Sequence, residues 1–233
     1  MTHPIRTFAR RALWALPIWA AMLFLGTLTE QPDPQTAFAD FAAYITTDWF
    51  LWSHLINSIL GAAIGSLGVV GLMLYLQDSR GGGRAITGMV ASMAGNVLMT
   101  SVYGVAAFAQ PAMGRMFQAG QQNAVDFYNQ VYGIPLFVTA LAGLLLFMIG
   151  GVFIGSAIAR SGSLPRWAGW VYIVMSIGFA LGLFFPPIVM NITSGSLFLA
   201  TFAVAMSAGR EGRKQYASGR VSQEAYPDSP SRL

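Results

Sequence analysis

The chain has no cysteine among its 233 residues, and that absence removes several chemistries at once. Without thiols there is no disulfide scaffold, no cysteine nucleophile and no cysteine-ligated zinc or iron–sulfur centre. Charge is the second scarcity. Only 9% of residues are charged, against about 25% in a soluble domain, which excludes a disordered chain and an ordinary cytosolic enzyme. Histidine is nearly missing too. His3 belongs to the N-terminal tail, so only His54 can serve at membrane depth, and a bis-histidine haem is excluded. What fills the space is apolar: 55% of residues are hydrophobic and 26 are glycine. That composition describes a polytopic membrane protein.

The few charges are clustered, and the gaps between clusters place the helices. Trp49 to Gln77, Ala85 to Gly114 and Phe127 to Ala159 are free of charge, each long enough for one span of about 20 residues. Trp167 to Gly209 is a charge-free run of 43. A single helix of that length would measure roughly 65 Å, about twice a bilayer core. It must break, and Pro186-Pro187 is the place, because proline removes a donor and clashes with the preceding turn. Ala12 to Leu28 adds one more apolar stretch. The expected fold is an all-α bundle of six transmembrane helices over 12–29, 50–77, 85–110, 134–159, 167–185 and 188–208. Residues 1–11 form a basic leading segment, and 209–233 a disordered polar tail. Arg6, Arg10 and Arg11 precede the first apolar run as in a signal peptide. Gly26-Thr27-Leu28-Thr29-Glu30 is no small-x-small cleavage site, however, so an uncleaved first helix is expected.

Basic residues segregate between the loops. Twelve of the 13 lie in the N-terminal segment, the two even-numbered turns and the tail, whereas Arg115 stands alone among Glu30, Asp33, Asp40, Asp48 and Asp126. By the positive-inside rule both termini face the cytoplasm, in the inner membrane of the cell. The basic pI of 9.7 then reflects topology, and no nucleic-acid partner is expected. In the first acidic loop Phe38, Phe41, Ala42 and Ile45 have the spacing of an amphipathic helix lying on the membrane surface. Trp49, Trp52, Tyr128, Tyr132, Trp167 and Trp170 fall at the interfaces, as anchoring rings do.

An offset of 82 aligns the second and third helices with the fourth and fifth, pairing Gly61 with Gly143, Gly68 with Gly150, Ser79 with Ser161 and Arg84 with Arg166. This is a weak parallel two-helix repeat. Two small-residue faces stand out: Gly61, Gly65 and Gly68 on the second helix, and Gly143, Gly150, Gly151 and Gly155 on the fourth. In lipid, close backbone approach over such residues supplies the packing energy. Gly71 is placed off the first face. The partner of each face is either within the chain, in another membrane subunit or in a second copy.

No Asp, Glu, Lys or Arg falls inside an expected span. That excludes a retinal lysine, carboxylate di-metal sites and the buried acids of most proton-coupled carriers. No G-x-S-x-G, P-loop or H-E-x-x-H occurs, and no cofactor is assigned. The polar residues at depth are neutral: His54, Asn57, Asn96, Tyr103, Gln110 and Asn191, grouped toward the acidic-loop side as a candidate outer-leaflet pocket. His54 is expected to face the bundle interior and to bond a neighbouring helix, with the third helix as its partner. The functional expectation is a non-enzymatic membrane protein, a small carrier or an accessory subunit. The alternative is a membrane enzyme acting on a lipid or isoprenoid at the outer leaflet, with His54, as general base or metal ligand, and the asparagines at its site.

Overall fold

Apolar runs of this length leave backbone polar groups no partner in lipid except one another, so each run closes into a helix. The computed structural model of the chain describes residues 3–121 and 123–225. The first span is α1 (His3–Ala12) followed by α2 (Ala15–Gly26). Two short helices follow, α3 (Phe38–Ile45) and α4 (Asp48–Ser53), and α4 continues through a π-helical turn (His54–Leu60) into α5 (Gly61–Leu76) as the second span. The third span is α6 (Gly82–Gln118); a further short helix, α7 (Ala124–Val131), precedes the fourth, α8 (Ile134–Arg160). The fifth and sixth are α9 (Arg166–Leu181) and α10 (Pro187–Ala225). Among the described residues five helices are long and apolar enough to cross a membrane, α9 is a shorter apolar one, and no strand occurs. The protein is an all-α polytopic membrane bundle.

Three boundaries differ from the sequence expectation. Arg6, Arg10 and Arg11 sit within helix, in α1, rather than ahead of it. α6 passes through Pro111 to Gln118, about 55 Å at its length, and so overreaches a bilayer core of about 30 Å. α10 stays helical to Ala225, so the tail expected to be disordered from residue 209 starts as helix, since a nucleated helix propagates at little cost. Residues 226–233 lie outside the described residues. The break before Pro187 is as expected: a 3-10 turn (Gly182–Phe184) leads into an extended Phe185.

Each span packs on its neighbours in sequence, and the sixth closes on the first, making a ring. The glycines set the spacing. A Cβ added at Gly65 would lie 2.8 Å from Trp19, and one at Gly68 2.8 Å from the Leu16 backbone nitrogen. Gly61 faces Met22. Gly71, placed off this face by its spacing, belongs to it: its Cβ would lie 2.6 Å from that of Ala12. Spacing along the second helix does not show this, because the contact comes from Ala12 at the end of α1, before the turn at Leu13 and Trp14 that separates α1 from α2. Gly143 and Gly150 lie against Met99 and Ser92 of α6, while Gly151 and Gly155 lie against Ser176 and Gly169 of α9. Both small-residue faces therefore find their partners inside the chain. The Trp14 and Phe202 rings, 5.7 Å apart, and a 3.3 Å Thr27–Ser194 hydroxyl contact join the last span to the first.

The offset of 82 has a local structural counterpart. The Ser79 hydroxyl donates to the Leu76 carbonyl (2.7 Å) and accepts from the Gly81 N–H (3.1 Å). Ser161 repeats both bonds, donating to Ile158 (2.9 Å) and accepting from Ser163 (3.3 Å). The two turns at the basic end thus share this pair of serine bonds, although Gly162 takes a positive φ of 76° and its counterpart Arg80 does not.

At the other end, α3 and α7 form a cap on the overreaching end of α6. Phe41, Ala42 and Ile45 have no exposed surface. Their face is taken by protein, against Met113 and Gly114, and not by the membrane surface as its spacing implies. Protein contact wins because α6 extends far enough to offer a complementary apolar strip. Tyr128 also belongs to this cap: it meets Phe41 edge-on (5.2 Å) and stacks on Tyr132 (4.6 Å), so these two tyrosines are cap residues and not interfacial anchors. Trp49, Trp52, Trp167 and Trp170 remain more than half exposed.

The cap has a built-in alkaline sensitivity. Burial, and then the neighbouring Tyr128, push the Tyr132 phenol above its ordinary range, with Gln110 opposing. A phenol raised in the folded state contributes stability in full below the unfolded value of about 10, and loses it as pH climbs toward the higher folded value. The melting temperature in detergent should fall above pH about 10, and less steeply in Tyr132→Phe. Equal alkaline losses in parent and variant would remove Tyr132 from this account.

Candidate functional site

Between the spans of the ring lies a partly open cavity of about 230 Å³ to which all six contribute. The first span supplies Trp19, Met22 and Thr27; the second His54, Asn57 and Ser58; the third Asn96, Met99 and Tyr103. Leu144 and Phe147 come from the fourth, Phe179 from the fifth and Met190 from the sixth. The space equals roughly eight waters at about 30 Å³ each. It lies toward the capped end, and no charged side chain lines it.

Its polar wall is built on the π-helical turn. There the Gly61 N–H reaches back to the Ile56 carbonyl, five residues earlier. Such turns insert one residue into the α-helical ladder and recur at functional sites. Here the turn carries His54, Asn57 and Ser58, all three of which line the cavity.

His54 packs on Phe50 with the rings tilted by 39° and their centroids 4.2 Å apart, and its Nδ1 lies 2.9 Å from the Phe50 carbonyl oxygen. This bond is within its own helix and not to the third helix, as the sequence predicts, because the carbonyl one turn back is in easier reach than any group across the cavity. A carbonyl only accepts, so in the neutral ring the proton sits on Nδ1 and Nε2 keeps its lone pair. Nε2 has no hydrogen-bond partner among the described residues. Asn96 is committed in the same sense. Its Nδ2 donates to the Ala62 carbonyl (3.3 Å) and the Ser66 hydroxyl (3.0 Å) of the second span. Both amide protons are used, and Oδ1 is left as an acceptor. Asn57 donates weakly to Ser53 at 3.4 Å.

Of the six residues expected in the pocket, four meet there: His54, Asn57, Asn96 and Tyr103. Gln110 does not. It is buried under the cap, where its side chain approaches the Tyr132 hydroxyl without a bond of good geometry. Asn191 is also elsewhere, its Oδ1 buried and unpartnered, although its neighbour Met190 lines the cavity. Sequence reasoning missed Thr27, Trp19, Ser58 and Phe147. Thr27 lies at the end of an apolar run and the others sit in ordinary membrane composition, so nothing in the string sets them apart.

A second, smaller cavity of about 10 Å³ lies beside the first, lined by Gly65, Ser92, Asn96 and Tyr172 among others. It has room for about one water. Trp19, Asn96 and Phe147 border both spaces, and the Trp19 and Phe147 rings, with centroids 6.1 Å apart, stand at the boundary between them. Among the described residues no three metal-binding side chains come together.

No protein-family model, curated protein or solved structure matches this chain. The site therefore has to be interpreted from its own chemistry.

Proposed function

We propose that this protein is a small membrane carrier that holds an uncharged molecule in the cavity between its six spans. One observation carries the proposal: a single cavity is lined from every helix of the ring. Any tilt of one half of such a ring against the other reshapes the site, which is what alternating access requires. The mixed wall supports it as well. Met22, Met99 and Met190 supply soft, adaptable apolar surface, and a few polar groups fix orientation. An accessory-subunit role has less support, since both glycine faces are occupied within the chain.

Native mass spectrometry of the protein released from membranes checks this. The parent should carry a small-molecule adduct that Ser58→Trp, which fills the cavity, loses at nearly unchanged melting temperature. Adducts of the same kind and amount on both would move binding elsewhere, and no adduct on either, with no stabilisation by membrane lipid extract, would end the proposal. The membrane-enzyme reading is kept alive by the unpartnered Nε2 of His54; its mark would be chemical conversion of the bound molecule, lost in His54→Phe.

The proposed orientation puts the capped end outside and both termini in the cytoplasm, following the charge asymmetry. With no native cysteine, single cysteines report cleanly. Asp33→Cys and Gln121→Cys should both react with an impermeant thiol reagent added outside intact cells, and Gly209→Cys should not. Reaction at Gly209→Cys alone would invert the topology.

A further inference from the structure

We infer that the cavity recognises its ligand through a hydroxyl group that the ligand donates, and that the ligand is an uncharged hydroxyl-bearing amphiphile. This rests on the carrier proposal and goes on to the chemistry of what is carried. The key is the direction of the hydrogen bonds already made inside the protein. His54 spends its Nδ1 proton on the Phe50 carbonyl, and Asn96 spends both amide protons on Ala62 and Ser66. What these two residues have left, on two different helices, is Nε2 and Oδ1, and both can only accept. Neither has a protein partner among the described residues, and both residues line the cavity. Both atoms open onto the cavity, where water can reach them. A ligand that displaces that water without offering a donor leaves them unmade at a cost, so the site selects against it.

Charge decides which donor. A protonated amine would also satisfy two acceptors, but no acid lines the cavity, and an unpaired cation there would be strongly disfavoured. A neutral O–H meets one of these acceptors without that penalty, and a second hydroxyl or a water meets the other. The hydrocarbon part of the ligand then rests on the apolar side of the same space, against Met99, Leu144, Phe147 and Met190. Two sources share this chemistry: a membrane lipid with a free hydroxyl headgroup, and a water-soluble alcohol entering from the capped end.

The test uses the full chain in lipid nanodiscs and two photoreactive probes, a medium-chain alcohol carrying an aliphatic diazirine and its methyl ether. The alcohol should label cavity peptides at least about tenfold more than the ether, the discrimination expected for a lost buried hydrogen bond of about 1–3 kcal/mol. His54→Phe and Asn96→Leu should bring the ratio close to one while apolar labelling of the cavity persists. Competition by monoolein and not by glycerol supports the lipid source, and the reverse supports the soluble one. Equal labelling by alcohol and ether in the parent overturns the hydroxyl inference but leaves the carrier proposal standing. A trimethylammonium probe of the same length that outcompetes the alcohol overturns it too. Failure of every probe to label the cavity would sink both.

Discussion

Gly155→Leu should be the most damaging single change to the bundle, lowering its stability by an amount at or above the top of the 1–3 kcal/mol usual for overpacking. The reason is what stands opposite. A Cβ at Gly155 would lie 2.5 Å from the Gly169 carbonyl and 3.0 Å from the Ile173 backbone nitrogen, and a Cβ at Gly169 would lie 2.6 Å from the Ala159 nitrogen. Backbone meets backbone, and neither side has a flexible end that can swing away. In lipid this close approach is itself the source of association energy, so a leucine both clashes and removes the contact. Gly104→Leu is the control, because nothing lies within 4 Å of a Cβ there, and the glycine-to-leucine gain in helix propensity is of order 0.5–1 kcal/mol. Thermal melts in one detergent decide the matter. Similar midpoints for the two variants would mean that α8 and α9 do not depend on this contact.

Trp19→Ala should have the second large effect, and it has two separable readouts. Trp19 is only 6% exposed, lies over Gly65 and helps divide the two cavities. Truncating a buried aromatic of this size costs about 3–5 kcal/mol. It should also join the spaces, so that water reaches Ser92, which is now buried. A Ser92→Cys reporter should resist an impermeant thiol reagent in the parent and react in the Trp19→Ala background. Equal reactivity in both would show that Trp19 does not separate the cavities, whatever happens to the melting temperature.

One feature of the candidate site was open to sequence reasoning, and two were not. His54, Asn57, Asn96 and Tyr103 are polar residues in apolar runs, and a polar group at membrane depth needs a partner wherever it sits. Gln110 and Asn191 satisfy the same rule yet do not line the cavity, because depth along a helix says nothing about azimuth around the bundle. The direction in which His54 and Asn96 are committed was invisible as well, since it depends on which carbonyls come within reach.

The positions of the spans, the break before Pro187 and the gathering of glycines follow from composition along the string, because lipid enforces helix on any long apolar run and penalises charge within it. These are one-dimensional constraints, and a sequence carries them in full. The closing of the sixth span on the first, the capture of α3 by α6 instead of by the membrane surface, the inclusion of Gly71 in the contact row and the cavity shared by six helices are of another kind. Each depends on how helices rotate and tilt against partners far away in the chain, where several faces of comparable apolar character compete and packing fit selects among them.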